Sequence, residues 1–472
     1  MSLSVDVTLL SGRTVTVQVA SDGTVNDLRR SSQEELGTPI ANLVTSPGEC
    51  LPGPALLTTV GIGQGTQVFA TARTTLVASC YSGFLRAGST WNLAFSNLAD
   101  AFVAFRLNGS ATAWGDAGYG GDCEVVRDQL YDVQEVATTY GAFAVLRRDG
   151  TVVTWGSPEI GGDCTSCKAE LKNIRALRAS RGAFAAIRED GAVVTWGDPF
   201  RGADISRVQN RLAGVREVRA AARSFAALRE DGTVVTWGDA KHGGNSADVQ
   251  HRLEQVLDIA ASGGAFAARR HDGTVVTWGE AKFSGDSSAV QERLVQVRKI
   301  CATPHAFTAI KEDGTVVTWG EPEYGGDCTS VQDQLKDVCE VCATAGAFAG
   351  LRADGTVVTW GNSEFGGDSA AVRELLVQVQ TLTASARAIA ARRADGHVVT
   401  WGCAESGGDS REVQDELFQV EDVFANQMAF AALKADGSVV TWGAQGAGGD
   451  SSSVRAELYS VQMLGPIAFL EI

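Results

Sequence analysis

Residues 306–319 read Ala-Phe-Thr-Ala-Ile-Lys-Glu-Asp-Gly-Thr-Val-Val-Thr-Trp, and this stretch recurs with small changes along most of the chain. The Asp-Gly pair predicts a two-residue type I′ hairpin turn, because both residue types accept the positive φ angles that this turn needs. Nine of the ten tryptophans end such a stretch, and every interval between them is 41 residues. A fixed period of this length indicates one supersecondary unit stacked many times. The nine structural tryptophans are Trp114, Trp155, Trp196, Trp237, Trp278, Trp319, Trp360, Trp401 and Trp442.

One window, 279–319, shows what each repeat predicts. Two apolar residues spaced i,i+4 and a capping-box spacing indicate a short helix or helical turn over 287–294. Three antiparallel strands then follow. A three-stranded sheet of this size cannot bury both faces alone, so the sheets must stack on each other. The predicted strands A, B and C are 297–302, 306–311 and 315–319.

The stacked sheets predict a mainly β fold over 74–472 with about nine to ten three-stranded blades. Radial stacking gives a β-propeller and linear stacking gives an open propeller-like superhelix, and the sequence leaves both open. The last window, 443–472, contains two predicted strands, 459–464 and 467–472, and stops before the Asp-Gly turn. An extended segment at 74–79 is a candidate to complete that blade and close a ring.

Residues 1–73 lie outside the period and predict a small α+β domain. Their order of hairpin, amphipathic helix and two short strands resembles ubiquitin, which has a β-grasp fold. The apolar recognition patch of ubiquitin aligns with Leu10, Thr45 and Thr71, of which only one is apolar. The resemblance therefore implies the fold and not the binding of ordinary ubiquitin readers. The predicted elements are strands 4–10 and 14–20, helix 25–36, and strands 42–45 and 67–72.

Charge and hydropathy exclude several classes of function. The chain has 40 Lys+Arg against 56 Asp+Glu, a formal charge of −16, which argues against nucleic acid and anionic membrane surfaces as partners. No apolar run is long enough for a membrane-spanning helix. The first residues alternate like a strand and do not resemble a signal peptide, so we expect a cytoplasmic protein, with the nucleus left open.

The cysteines and the repeated aspartates each have two interpretations. The two Cys-x-x-Cys pairs, Cys164/Cys167 and Cys339/Cys342, lie about four repeats apart, so we expect free structural thiols and no shared zinc, with a redox role for the first pair left open. The repeated aspartates predict helix capping and not calcium sites, because Asn245 replaces one of them and caps equally well. We therefore expect no metal and no cofactor. The aspartates are Asp122, Asp163, Asp204, Asp286, Asp327, Asp368, Asp409 and Asp450.

The consensus Ala-Phe-Ala-Ala-Leu-x-x-Asp-Gly-Thr-Val-Val-Thr-Trp-Gly resembles the repeat of the regulator of chromosome condensation family. The short period is more similar to that of β-lactamase inhibitory protein II, a relative with three-stranded blades. The resemblance covers roughly 92–472 and implies a propeller that binds proteins. The strict spacing leaves no room for the inserted wedge that the family's exchange factor uses on its GTPase, so nucleotide exchange is not implied.

A comparison of the repeats with each other predicts where a partner binds. The A–B turns and the residues after each Trp-Gly share one edge, which we call the variable rim, while the nearly invariant Asp-Gly turns form the opposite edge. Exposed aromatic residues and arginines, the residue types of binding hot spots, recur on the variable rim. The predicted rim residues are Tyr119, Tyr140, Arg181, Arg201, Arg223, His242, Phe283, His305, Tyr324, Phe365, Arg387 and Met428.

These observations favour a monomeric, non-catalytic scaffold that binds a protein of unknown identity on the variable rim. No nucleophile elbow, His-Glu-x-x-His helix or P-loop is present, so no catalytic residue is predicted. Two alternatives stay open. One is an adaptor of a ubiquitin-ligase-type pathway that acts through the N-terminal domain. The other is an enzyme or small-ligand module that uses the central channel.

Overall fold

The computed structural model describes residues 2–9, 14–36, 40–44, 56–63, 66–72, 76–81, 99–105, 111–436, 438–447 and 449–450. The protein is mainly β, as predicted. A four-stranded sheet with one helix comes first, and nine three-stranded antiparallel sheets follow. The longest helix in these ranges has 12 residues, too few to cross a membrane.

The N-terminal sheet has the strand order β2-β1-β4-β3, in which β1 is antiparallel to β2 and parallel to β4. The helix starts at a capping box, because the Thr24 backbone N–H donates to the Asp27 carboxylate at 2.8 Å. Fully buried residues such as Val5, Leu28 and Val68 join helix and sheet. All five predicted elements are present, while the likeness to ubiquitin stays a prediction. The elements are β1 Ser2–Leu9, β2 Thr14–Ala20, α1 Val25–Leu36, β3 Ile40–Val44 and β4 Thr66–Ala72.

Each of the nine repeated sheets has its three strands in sequence order. In window 279–319, strands A and B have the predicted bounds, and strand C is shifted by one residue. The strands are β5 Leu76–Tyr81, β6 Ala99–Phe105, β7 Ala111–Gly115; β8 Val133–Thr138, β9 Ala142–Arg147, β10 Val152–Gly156; β11 Ile174–Ala179, β12 Ala183–Arg188, β13 Val193–Gly197; β14 Val215–Ala220, β15 Ser224–Arg229, β16 Val234–Gly238; β17 Val256–Ala261, β18 Ala265–Arg270, β19 Val275–Gly279; β20 Val297–Ala302, β21 Ala306–Lys311, β22 Val316–Gly320; β23 Val338–Ala343, β24 Ala347–Arg352, β25 Val357–Gly361; β26 Val379–Ala384, β27 Ala388–Arg393, β28 Val398–Gly402; and β29 Val420–Ala425, β30 Ala429–Lys434, β31 Val439–Gly443.

Short 3₁₀ helices connect consecutive sheets. One follows most C strands at the variable rim, and a second often precedes the next A strand, where the sequence predicted a short helix or helical turn. They are Ala117–Tyr119, Glu124–Gln129, Pro158–Ile160, Pro199–Arg201, Gln209–Arg211, Ala240–His242, Gln250–Arg252, Ala281–Phe283, Ser288–Arg293, Pro322–Tyr324, Thr329–Gln334, Ser363–Phe365, Ala370–Leu375, Ala404–Ser406, Gln414–Glu416 and Gln445–Ala447.

The segment proposed to close a ring contributes to the first repeated sheet instead. Strand β5 pairs antiparallel with β6 and is strand A of the first repeated sheet, so this sheet is complete without borrowing. The expectation that 74–79 supplies a strand to the last blade is therefore wrong. The two strands predicted at 459–464 and 467–472 lie outside the described residues.

The Asp-Gly hairpin also differs from the prediction. The Lys311 N–H donates to the Thr315 carbonyl at 2.9 Å, and the Gly314 N–H donates to the Lys311 carbonyl at 3.0 Å. Only Gly314 has positive φ, at 75°, while the Asp313 carboxylate accepts the Thr315 N–H at 2.9 Å. The loop is therefore a type I turn followed by a left-handed glycine. The aspartate prefers this turn because its side chain can then bond the chain two residues on.

Each described tryptophan side chain of the repeat connects its sheet to the preceding one. Trp237 stacks on the fully buried Phe225, with ring centroids 5.3 Å apart, and its Nε1–H donates to the Gly202 carbonyl at 2.9 Å. A Cβ atom at Gly202 would lie 2.6 Å from the Phe225 ring, so glycine lets the connecting segment lie closely on that ring. Seven other tryptophans donate to the carbonyl 35 residues earlier: Trp155, Trp196, Trp278, Trp319, Trp360, Trp401 and Trp442.

Backbone hydrogen bonds join neighbouring sheets at both edges. At the Asp-Gly edge, each turn glycine accepts the N–H of the first residue of the next A strand, as Gly314 does from Val338 at 3.0 Å. At the variable rim, the Gly263 N–H donates to the Pro304 carbonyl at 2.9 Å. Residues 41 apart in successive A–B turns bond in this way. Pro304 has no N–H and cannot donate such a bond to Ala345, but Ala345 again donates to the Ala386 carbonyl.

Candidate functional site

The fold places the predicted rim residues along one edge. Within a sheet, the residue after strand C bonds to the A–B turn, as the Asp198 N–H does to the Gly182 carbonyl at 2.8 Å. Side chains follow the same arrangement. A Cβ atom on Gly182 would lie only 2.7 Å from Cδ of Arg201, so the Arg201 side chain packs directly over this glycine. Antiparallel strands and an unbroken period produce this alignment, which is why the repeat comparison could identify it.

Aromatic side chains from successive sheets form a continuous row on this rim. Phe283, Tyr324 and Phe365 are half-buried because they pack on their neighbours and over glycines. A Cβ at Gly264, for example, would lie 2.6 Å from the Phe283 ring. The expectation of freely exposed rings at these positions is wrong. The centroid distances along the row are 5.8 Å for His242–Phe283, 4.9 Å for Phe283–His305, 4.6 Å for His305–Tyr324 and 6.4 Å for Tyr324–Phe365.

His305 is the buried member of the row, with 3% of its surface exposed. Burial, together with the positive charges of Lys282 and Arg181, lowers the pKa of His305 to about 4. The Glu321 carboxylate lies 3.2 Å from Nδ1, but this nitrogen has no hydrogen-bonding geometry to any described group. His305 is therefore neutral at physiological pH and serves as a packing residue of the row.

Arginines extend the row at both ends. The Arg387 guanidinium lies 4.8 Å from the Phe365 ring centroid and pairs with Glu364 at 3.2 Å. At the other end, the guanidinium groups of Arg181 and Arg201 lie 5.5 and 5.8 Å from the Tyr140 ring centroid. Cation–π contacts of this kind hold the planar groups in place. Two further predicted rim residues, Arg223 and Met428, are half-exposed on the same edge.

Two aromatic side chains on the rim are more exposed than the row. Tyr119 is 42% exposed and packs against Gly141. Phe200, which the rim prediction did not include, is 84% exposed. Phe200 could have been identified from the sequence, because it is the one large apolar residue at a position that holds Gly, Glu or Lys in the other windows. The comparison missed it because it followed the next residue, Arg201.

The repeated aspartates bond to the backbone. Asp163 Oδ1 accepts the Thr165 N–H at 2.8 Å, and Asn245 in the equivalent position accepts the Ala247 N–H at 3.0 Å. The aspartate is not the helix N-cap that the sequence predicted: the N-cap of Glu124–Gln129 is Cys123, one residue after Asp122, and no helix lies between Asp163 and the next strand. The side chain instead closes an Asx turn with the backbone two residues on. Within the described ranges, no three His, Cys, Asp or Glu side chains come close enough together to hold a metal ion.

The described cysteine side chains are free thiols in structural positions. Burial raises the pKa of both Cys167 and Cys342 to about 12, the reverse of what a reactive thiolate needs. Cys164 is buried beside Cys167, while Cys339 is exposed. These surroundings favour the structural interpretation of both Cys-x-x-Cys pairs.

No known family profile and no curated protein sequence matches this chain. Similar solved structures include yeast RCC1 (Prp20) bound to Kap60, at 16% identity, covering 53% of this chain and 73% of that one, with a TM-score of 0.33. Human WBSCR16 has 14% identity, coverage of 62% and 84%, and a TM-score of 0.35. The CRINKLY WD40 ectodomain of the Arabidopsis thaliana receptor kinase ACR4 has 15% identity, coverage of 56% and 93%, and a TM-score of 0.32. At these values nothing about partners or activity transfers to this chain, and the likeness to β-lactamase inhibitory protein II stays a prediction.

Proposed function

We propose that this protein is a non-catalytic scaffold that binds a protein partner on the variable rim. The observation that carries the proposal is Phe200, a large apolar side chain 84% exposed on an edge already rich in aromatic and arginine side chains. Burying a phenylalanine in an interface stabilises it by about 1.5–3 kcal/mol, which is the contribution of a hot spot. We also propose that the protein acts as a cytoplasmic monomer.

The backbone at Phe200 is fixed before any partner arrives. The Asp198 carboxylate accepts the Phe200 N–H at 2.9 Å and pairs with Arg201 Nε at 3.1 Å. Pro199 fixes the first position of the short helix. A segment whose backbone is already fixed loses little backbone entropy on binding, so more of the energy of burying the Phe200 side chain contributes to affinity.

The other polar groups of the repeat have structural roles, which supports a scaffold over an enzyme. The repeated aspartates accept backbone N–H bonds, as Asp163 does, and the Cys167 thiol is buried with a raised pKa. These aspartates and this thiol are therefore not available to act on a substrate.

The test compares two apolar-to-serine substitutions on exposed residues. Val125 is 94% exposed on the 3₁₀ helix that leads away from the rim, so Val125→Ser is a matched control for Phe200→Ser. Tagged full-length protein is used to capture partners from its own cells, and the recovered proteins are quantified by mass spectrometry. We expect Phe200→Ser to lower recovery of the partner about tenfold or more while Val125→Ser leaves it unchanged. Equal recovery with both variants would refute rim binding.

A further inference from the structure

We propose that Arg181, with Arg201 and Arg223, forms a site on the variable rim for the carboxylate groups of a short acidic peptide segment. This inference rests on the proposed function and gives the chemistry of the partner segment that the rim receives.

The three guanidinium groups are not balanced by carboxylates. Arg201 pairs with Asp198 at 3.1 Å, and Arg223 approaches Asp239 only to 3.9 Å. Arg181 has no carboxylate partner among the described residues and contacts the Tyr140 ring instead. Three positive charges therefore face two negative ones, which leaves one positive charge on a chain whose formal charge is −16.

Arg181 is half-buried beside like charges. Burial, with the neighbouring charges of Arg223 and Arg201, lowers the pKa of Arg181 to about 10. In addition, the Nε–H groups of Arg181 and Arg223 are buried and have no hydrogen-bond acceptor among the described residues. These nitrogens are out of reach of a ligand, but the Arg201 and Arg223 side chains stay 29% and 42% exposed, so a bound carboxylate can approach them and would supply the missing negative charge.

The Tyr140 ring helps to position the arginines. The guanidinium groups of Arg181 and Arg201 both lie within 6 Å of its centroid, so the ring holds Arg181 in place although Arg181 has no carboxylate partner among the described residues. Arginine forks fit carboxylates in a bidentate way, so a carboxylate is the ligand group that matches these side chains.

A peptide fits this site better than a nucleic acid. The net charge of −16 repels a long polyanion, whereas a short segment with a few carboxylates meets mainly the local positive charge. Phe200, adjacent to Arg201 and 84% exposed, offers an apolar contact to a neighbouring residue of the same segment. The expected ligand is therefore an acidic segment that contains a large apolar side chain.

The probe is a rhodamine-labelled peptide, Glu-Glu-Leu-Glu-Glu-Leu, and its control replaces every Glu with Gln. Binding to the full chain is measured by fluorescence anisotropy. The variant Arg181→Met removes the charge and keeps the aliphatic stem. Its control is Arg411→Met, because the Arg411 side chain is 89% exposed. The equivalent of Arg181 is Ala222 in the next repeat, so the fold tolerates the change, and melting temperatures verify this.

We expect the glutamate peptide to bind at least tenfold more tightly than the glutamine peptide, Arg181→Met to abolish this preference, and Arg411→Met to preserve it. Arg181→Lys should restore part of it, since lysine keeps the charge without the planar fork. Equal binding of the two peptides, or an unchanged preference in Arg181→Met, would overturn the proposal. Full displacement by 10 mM inorganic phosphate, on the order of a weak anion site, would overturn the peptide assignment.

Failure of this inference can be distinguished from failure of rim binding. If Phe200→Ser loses the captured partner while Arg181→Met retains it, the rim binds a partner and the carboxylate site is wrong. If both variants retain the partner, rim binding itself is wrong and the carboxylate site fails with it.

Discussion

Gly355→Ala tests why the Asp-Gly edge hardly varies between repeats. Gly355 has φ +78°, and a Cβ there would lie 3.0 Å from Cα of Gln378 and 3.2 Å from its backbone nitrogen. Its carbonyl accepts the Val379 N–H of the next sheet at 2.9 Å. Alanine at this φ costs about 1–2 kcal/mol, and weakening the inter-sheet hydrogen bond adds about 1 kcal/mol. We therefore expect a local loss of about 2–3 kcal/mol.

Gly214→Ala is the matched control. Gly214 also has positive φ, +61°, but a Cβ there would meet only Glu230 Oε2, at 4.0 Å. Gly214→Ala is destabilised only by the backbone conformation, so the local losses of stability in the two variants should differ by about 1 kcal/mol.

Hydrogen exchange followed by mass spectrometry measures the difference locally, which suits a repeat array that does not unfold in one step. Relative to the unsubstituted protein, we expect Gly355→Ala to accelerate exchange around Val379 about fivefold more than Gly214→Ala accelerates exchange around Val215, the residue that follows Gly214. Equal acceleration in the two variants would refute the idea that contact between sheets fixes this glycine.

Three further predictions concern single side chains. Because the folded pKa of His305 is about 4, below its ordinary 6.5, the unfolded chain takes up the proton first, so stability is lost as pH falls from 6.5 to 4, by up to about 3 kcal/mol. His305→Met, which copies Met428, should remove this part of the acid sensitivity in melting curves. Gln296→Gly should stabilise by about 1 kcal/mol in a urea titration, because Gln296 has φ +55° where another repeat has Gly214. Maleimide should label the exposed Cys339 in the native protein much faster than the half-buried Cys342 of the same Cys-x-x-Cys pair, because the pKa of Cys342 is raised to about 12.

The period let the sequence predict the sheets almost residue by residue. Strand bounds at 297–302 and 306–311 agree with the structure because alternation and the Asp-Gly signal act within one repeat. The helix Val25–Leu36 agrees because its amphipathic pattern is local as well. The turn type and the place of β5 were wrong, since both depend on which strand pairs with which and in what register.

The candidate site was predictable in position but not in exposure. Antiparallel strands put the A–B turns and the residues after Trp-Gly on one edge, so the row from His242 to Phe365 is where the repeats indicate. Whether a ring on that edge is exposed depends on the neighbouring repeat. A glycine such as Gly264 opens a space that Phe283 fills, and this contact is not visible within a single window.

The most direct test of rim binding is photo-crosslinking from two positions on opposite edges. A benzoylphenylalanine is placed at Phe200 on the variable rim or at Asp272, which is exposed at an Asp-Gly turn. The full-length protein is then irradiated in its own cells and its adducts are identified by mass spectrometry. A partner docked on the variable rim predicts a defined protein adduct from position 200 and none from position 272. The same adduct at equal yield from both positions, or an adduct from position 272 alone, would contradict it.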